Sequence, residues 1–236
     1  MNSRTRIILK KSVRDFINTG RPITSEYLYE TYDFGIKPAM IRRELSILDD
    51  SGYLEQIHTS GGRLPTNKAY KYFVSSVLKK DDLLSDFLDD SVDILETLIS
   101  GEINTFTRNL SNQLKSLSVL YEIEKQLVHD SGLENLFREI EWEDKSDLLE
   151  IIRDLELLPN KLKKSKLINK RGCWHKVFIG KSPITKSDRL SMVVSKIKTK
   201  NGDQVVMVIG PRRMDYEKAL GILKSLENLI EKNERR

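Results

Sequence analysis

One cysteine, Cys173, stands in 236 residues. That excludes an internal disulfide framework and any metal centre built from several cysteines, and it makes a reduced, cytoplasmic setting the default expectation. Histidines number three; His129 and His175 lack the ligand spacing of a zinc site, so no metal is expected. Long apolar runs are absent. Stretches such as Val205–Ile209 fall far short of the roughly 20 apolar residues that span a bilayer. The opening Met1-Asn2-Ser3-Arg4 leads into a charged amphipathic segment rather than an apolar leader region, so neither membrane nor export is expected. No phosphate-cradling glycine loop, nucleophile elbow or acid–base pair stands out, so the chain reads as not an enzyme, with no cofactor.

Charge, by contrast, is plentiful. Forty Lys and Arg oppose 35 Asp and Glu, a formal net charge of +5. Its distribution is uneven: residues 1–75 carry +4, residues 76–160 carry −12 and residues 161–236 carry +13. Such segregation predicts at least three distinct surfaces.

In the first block Ser3 can cap a helix over Arg4–Asn18, with Leu9, Val13, Phe16 and Ile17 on one stripe. Gly20 ends it and Arg21-Pro22 forces an extended step. Thr24 or Ser25 caps a short helix to Tyr32, and Pro38 opens a third, where a missing N–H costs nothing. Ile41, Leu45 and Leu48 form its inner stripe, leaving Ala39, Met40, Arg42, Arg43 and Ser46 mostly outward. A short strand follows through Ile57, then a glycine-rich tip at His58-Thr59-Ser60-Gly61-Gly62-Arg63, a return at Leu64-Pro65-Thr66, and a helix over Lys68–Leu78. This element order is that of a winged helix-turn-helix.

Taken singly, two adjacent arginines are ordinary solubility charges and a glycine-rich tip is an ordinary turn. Taken together, in this order, they predict a DNA-binding face. Lys37, Arg42 and Arg43 supply cations to the major groove, beside Ala39, Met40 and Ser46. Ser25, His58, Thr59, Ser60, Arg63 and Thr66 supply flanking contacts to backbone or minor groove, with Gly61-Gly62 allowing close approach. For His58 a packing or turn role fits equally.

Further along, the spacing of Leu84, Leu88, Val92, Leu95 and Ile99 predicts a helix over Leu83–Ile99, its acidic face either solvated or beside a dimer seam. Helices are also expected over Glu102–Gln113, Asp147–Leu157 and Tyr216–Lys232, and Lys161–Arg171 reads as a basic connector that could add nonspecific DNA affinity. Trp174–Ile179 alternates as a strand, and Leu190–Lys198 pairs with Asp203–Ile209 across Asn201-Gly202, with Gly210-Pro211 ending the sheet. Asp215 and Tyr216 fit a cap or inter-domain contact, or a functional loop.

Several segments resemble the heat-inducible transcription repressor family HrcA. They are Ile41-Arg42-Arg43-Glu44-Leu45, Gly52-Tyr53-Leu54-Glu55-Gln56, His58 to Thr66, Tyr70-Lys71-Tyr72-Phe73-Val74 and Ile209 to Tyr216. The resemblance implies a repressor of heat-shock, chaperone operons, acting in the stress response. Such a protein binds an inverted-repeat operator on double-stranded DNA as a homodimer, assisted by the chaperonin GroEL, and carries a GAF-like domain with a dimerising insertion. This chain departs from the pattern. Family members usually carry a small polar residue where it has Met40, Asn where it has Arg43, and Ser where it has Lys37. Leu114–Tyr121 resembles a helix end and first strand of the GAF-like domain, whereas Ser131 to Phe137 resembles a much later segment, so intervening strands and the dimerising insertion are missing.

The expected class is therefore α+β. A winged helix-turn-helix occupies residues 1–78, a helical linker or dimerisation segment 79–130, and a truncated GAF-like α/β domain 131–236. Two other readings compete: a winged-helix repressor of other genes with a ligand-sensing C-terminal domain, and a protein- or RNA-interaction scaffold.

Overall fold

The computed structural model describes residues 1–57, 61–79, 87–140, 145–166, 168, 171–200 and 202–234. The chain is mixed α and β, and it divides into two units, Met1–Lys79 and Lys80–Arg236.

In the first unit three helices precede a small hairpin and a fourth helix. They are α1 (Ser3–Thr19), α2 (Ser25–Thr31), α3 (Pro38–Asp50), β1 (Leu54–Gln56), β2 (Arg63–Pro65) and α4 (Asn67–Val77). The cap of α1 is Asn2, not Ser3: its side-chain oxygen accepts from the Thr5 N–H at 2.8 Å, which places the start one residue earlier than the serine suggests. Gly20 closes α1 in the left-handed region, and Thr24 caps α2. Packed between the helices are Leu9, Val13, Leu28, Ile41, Leu45, Leu48, Tyr70 and Phe73, all nearly or fully buried. β1 and β2 are antiparallel, and Ile23 bridges Arg63 through two backbone bonds of 2.9 Å. That bridge ties the chain between α1 and α2 to the base of the hairpin.

The second unit is one antiparallel sheet between helical layers. Its elements are α5 (Leu88–Ile99), α6 (Ile103–Leu114), β3 (Leu117–Glu122), β4 (Leu127–Ser131), α7 (Leu133–Glu139), α8 (Lys145–Glu156), α9 (Leu158–Lys164), β5 (Trp174–Ile179), β6 (Leu190–Thr199), β7 (Gly202–Pro211) and α10 (Tyr216–Glu234). Strand order is β4-β3-β7-β6-β5. The expected central hairpin is present, with Thr199 opposite Gly202 and Leu190 opposite Pro211; Gly202 is thus the first residue of β7 rather than part of the turn. Both faces of β6 and β7 are covered, so they carry continuous apolar runs instead of alternation. One face supplies Val119, Met192, Val194, Met207 and Ile209 to a cluster with Leu136, Ile140, Ile151, Leu158 and Leu162 of α7, α8 and α9. α10 packs on β6 and against α5.

Two features differ from expectation. Lys161, Lys163 and Lys164 lie in α9 rather than in a connector, because Pro159 sits in its first turn and Leu158 and Leu162 reach the core. The segment 79–130 also supplies strands β3 and β4, and β3 pairs along its whole length with β7. The buried Asp154 carboxyl fixes the 181–187 loop. It accepts from the Lys161 ammonium at 2.5 Å and from the backbone N–H groups of Lys186 and Ser187.

Ser195, His175 and Glu227 align across β6, β5 and α10. The His175 ring bonds the Ser195 hydroxyl through Nδ1 at 2.6 Å and the Glu227 carboxyl through Nε2. Ser195 is 0 % exposed, so the alignment clamps helix to sheet and presents no accessible nucleophile. The bond from His175 holds the Glu227 carboxyl below its ordinary value against the opposing effect of burial. A carboxyl with a lowered folded value adds stability above its unfolded value, about 4.5, and loses it as pH falls through the folded value. Replacing Glu227 with Gln should therefore lower Tm at pH 7 and narrow the gap to the unsubstituted chain below about pH 4.5. Thermal melts across pH 3–8 check this, and a constant gap would contradict it.

Among the described residues no helix is long and apolar enough to cross a membrane, and no group of three or more His, Cys, Asp or Glu side chains could hold a metal ion.

Candidate nucleic-acid interface

The outward face of α3 is built by what its inner face cannot give up. Ile41, Leu45 and Leu48 are 0 % exposed, and this fixes the rotation of the helix. Lys37, Ala39, Met40, Arg42, Arg43 and Ser46 are consequently all exposed. Neither Arg42 nor Arg43 has an ion-pair partner among the described residues. Lys37 is the N-cap and makes no side-chain cap bond; Pro38 brings no N–H, and the Met40 N–H donates back to the Lys37 carbonyl at 2.9 Å. The face thus combines three cations with small or apolar side chains.

Glu44 interrupts the inner stripe. It is 6 % exposed and accepts from the Thr5 hydroxyl at 2.6 Å, while Thr5 also bonds the Asn2 cap. A buried acid at the start of α1 meets the positive end of that helix, and α3 is thereby fixed to α1. The C-terminal end of α3 is fixed too. Arg63 of β2 donates from Nε to Asp49 Oδ2 at 2.6 Å, with side chains only 13 % and 20 % exposed. The hairpin base and the third helix therefore move as one piece.

Elsewhere in the unit, Tyr32 donates to the buried Asp15 of α1 at 2.6 Å. Burial pushes the Asp15 carboxyl up, against this bond. Burial, with the same bond, pushes the Tyr32 hydroxyl up to about 12. Lys68 lies over the Tyr53 ring and donates to the Ser51 carbonyl at 2.7 Å.

The other expected site residues fall in different places. Ser25 is the first residue of α2 and is 8 % exposed. Thr66 is the cap of α4, and its hydroxyl lies 2.8 Å from the Gly52 carbonyl oxygen. His58, Thr59 and Ser60 lie outside the described residues. Gly62 has a reason internal to the protein. Its φ is +74°, and a Cβ there would stand 2.8 Å from Pro22 Cβ and 3.2 Å from the Ile23 carbonyl oxygen. Gly62→Ala should cost roughly 1–3 kcal/mol from backbone strain, measured by denaturant unfolding. An unchanged midpoint would contradict the packing reason. Sequence reasoning missed the anchors Thr5, Glu44 and Asp49. An acid inside an apolar stripe signals Glu44, whereas nothing local signals the pairing of Asp49 with Arg63 across 14 positions.

Comparison with known proteins adds the family. A profile described as HrcA protein C terminal domain matches residues 73–220. The chain is 30% identical to the Heat-inducible transcription repressor HrcA of Clostridioides difficile over 99% of its own length and 66% of that protein. It is 37% identical to the protein of the same name from Desulfitobacterium hafniense over 52% of this chain and 35% of that one. It thus spans between about a third and two thirds of the length of these relatives. A crystal structure described only as a hypothetical protein superposes with a TM-score of 0.72 at 17% identity, covering 98% of each chain, and so shares the fold. With the family profile matching well over half of its residues, the chain belongs to the HrcA family.

Proposed function

We propose that the chain is a cytoplasmic DNA-binding repressor of heat-shock, chaperone operons, a regulator rather than an enzyme. On this reading the first unit is a winged helix-turn-helix and α3 is its recognition helix. The second is a shortened GAF-like domain that holds two subunits together. The observation that carries the reading is the outward face of α3, where Lys37, Arg42 and Arg43 stand exposed on a helix anchored at its middle by Glu44 and near its C-terminal end by Asp49. Arginine forks match guanine edges or phosphates, and a fixed helix loses little freedom on docking. The printed name of the relatives, heat-inducible transcription repressor, agrees in kind.

Repression works by occlusion. A homodimer places two α3 helices in successive major grooves of an inverted repeat, about 34 Å apart, with the hairpins on flanking backbone. Lys37, Ala39, Met40, Arg42, Arg43 and Ser46 form the contact face. Ser25 and Thr66 shape the elements around it, Arg63 holds the hairpin to α3, and His58, Thr59 and Ser60 are further expected contacts to DNA. The chaperonin GroEL is the expected partner that restores the active form after heat.

Sizing the full chain with and without an inverted-repeat duplex from a chaperone promoter tests this. Two protomers per duplex are expected; a single protomer, or no complex, counts against the reading.

One observation favours a second reading, a repressor of other genes whose second unit senses a ligand. A cleft of about 810 Å³ is lined by Leu157, Asn160, Lys161, Lys164, Lys166 and Pro183. Its chemistry suits an anion. On that reading duplexes from other promoters outcompete the chaperone repeat.

A further inference from the structure

The outward face of α3 is chemically divided. Successive residues turn by about 100°. With Ile41, Leu45 and Leu48 inward, Ala39, Arg43 and Ser46 follow the outermost line. Arg42 lies on one flank, and Met40 and Ile47 lie on the other. Met40 is 40% exposed and Ile47 39%. An apolar flank beside a line whose one cation is Arg43, on a helix whose inner stripe is already filled, is free to meet something outside the unit.

In the major groove one apolar group distinguishes the bases, the C5-methyl of thymine. Met40 lies in the first turn of α3, the half that reaches base edges. It precedes Arg43 by three residues, about 4.5 Å along the axis, close to one base step of about 3.4 Å. Its unbranched thioether adapts to a methyl without a fixed rotamer. A cytosine at the same place would bury its exocyclic amine against a thioether, which is only a weak acceptor.

We propose that Met40, with Ala39 beside it, reads the 5-methyl group of a thymine about one base step from the guanine that Arg43 addresses. This rests on α3 entering the major groove.

The test uses the full chain. The best-bound duplex is selected from a random library, and each thymine is then replaced in turn by deoxyuridine, which removes only the methyl. One position per half-site should weaken binding about fourfold, the worth of one buried methyl-sized group. In Met40→Ser the ratio of thymine to deoxyuridine affinity at that position should fall to about 1. Met40 is exposed, so the variant is expected to keep its fold, checked by a melt on the same sample, and its affinity for the thymine duplex should fall to that for the deoxyuridine duplex. If duplexes bind but no deoxyuridine matters, or if Met40→Ser keeps the full ratio, the inference is wrong while the DNA-binding reading stands. If no duplex is selected at all, both are wrong.

Discussion

On the proposed repressor reading, changing Arg42 and Arg43 together to alanine should lower the affinity of a dimer for an inverted-repeat operator by at least about 10³-fold at physiological salt. Each exposed arginine that meets a base or phosphate is worth about 1–3 kcal/mol, and both protomers lose two. The salt dependence should also flatten, by about one in log–log slope for every phosphate contact removed. Folding should be nearly untouched, since both side chains are exposed and exposed substitutions usually stay within about 0.5 kcal/mol. Fluorescence anisotropy over a salt series, with a melt on the same sample, separates the two effects. Unchanged affinity with unchanged slope would remove α3 from the interface and revive the protein- or RNA-scaffold reading.

The largest stability effect is expected in the second unit, at Gly132. This residue caps α7 with φ +92°, and a Cβ there would lie 1.6 Å from Ser111 Oγ and 2.5 Å from the Ser116 carbonyl oxygen. Neither neighbour is free to yield. The Ser111 hydroxyl donates to the Ser116 carbonyl at 2.6 Å and accepts from Asn135 Nδ2 at 2.9 Å. Gly132→Ala should therefore destabilise the chain by about 2–6 kcal/mol, roughly half from the left-handed backbone and half from overpacking. Gly101→Ala is the comparison. Its φ is +80° and nothing lies within 4 Å of the added carbon, so only the strain should appear. Denaturant unfolding of both variants measures the difference, and equal losses would contradict the role assigned to the close approach.

Gly132 also shows what the sequence made legible and what it did not. Local signals carried far. Thr24, Pro38 and Gly20 mark helix ends by their own backbone chemistry, and the Asn201-Gly202 dipeptide placed the β6–β7 hairpin to within a residue. The outward residues of α3 followed from the spacing of Ile41, Leu45 and Leu48 alone. What stayed hidden depends on distant partners. β4 is short, polar and at the sheet edge, so Leu127–Ser131 shows neither alternation nor a buried run; only pairing with β3 makes it a strand. α9 was masked by its lysines, because Leu158 and Leu162 are too few to announce an amphipathic stripe before the sheet that buries them is known. Gly62 looked like an allowance for DNA, whereas its closest neighbour is Pro22, forty positions earlier. In the interface itself, the exposed side chains were readable and the bonds that aim them, Thr5 to Glu44 and Arg63 to Asp49, were not.

The central claim is that this chain selects one DNA sequence through α3. The direct measurement is the ratio of its affinities for a chaperone-promoter inverted repeat and for a scrambled duplex of equal length, at about 0.15 M salt. A ratio of about 10³ or more is predicted, as for sequence-specific regulators. Equal affinity for the two duplexes would contradict it.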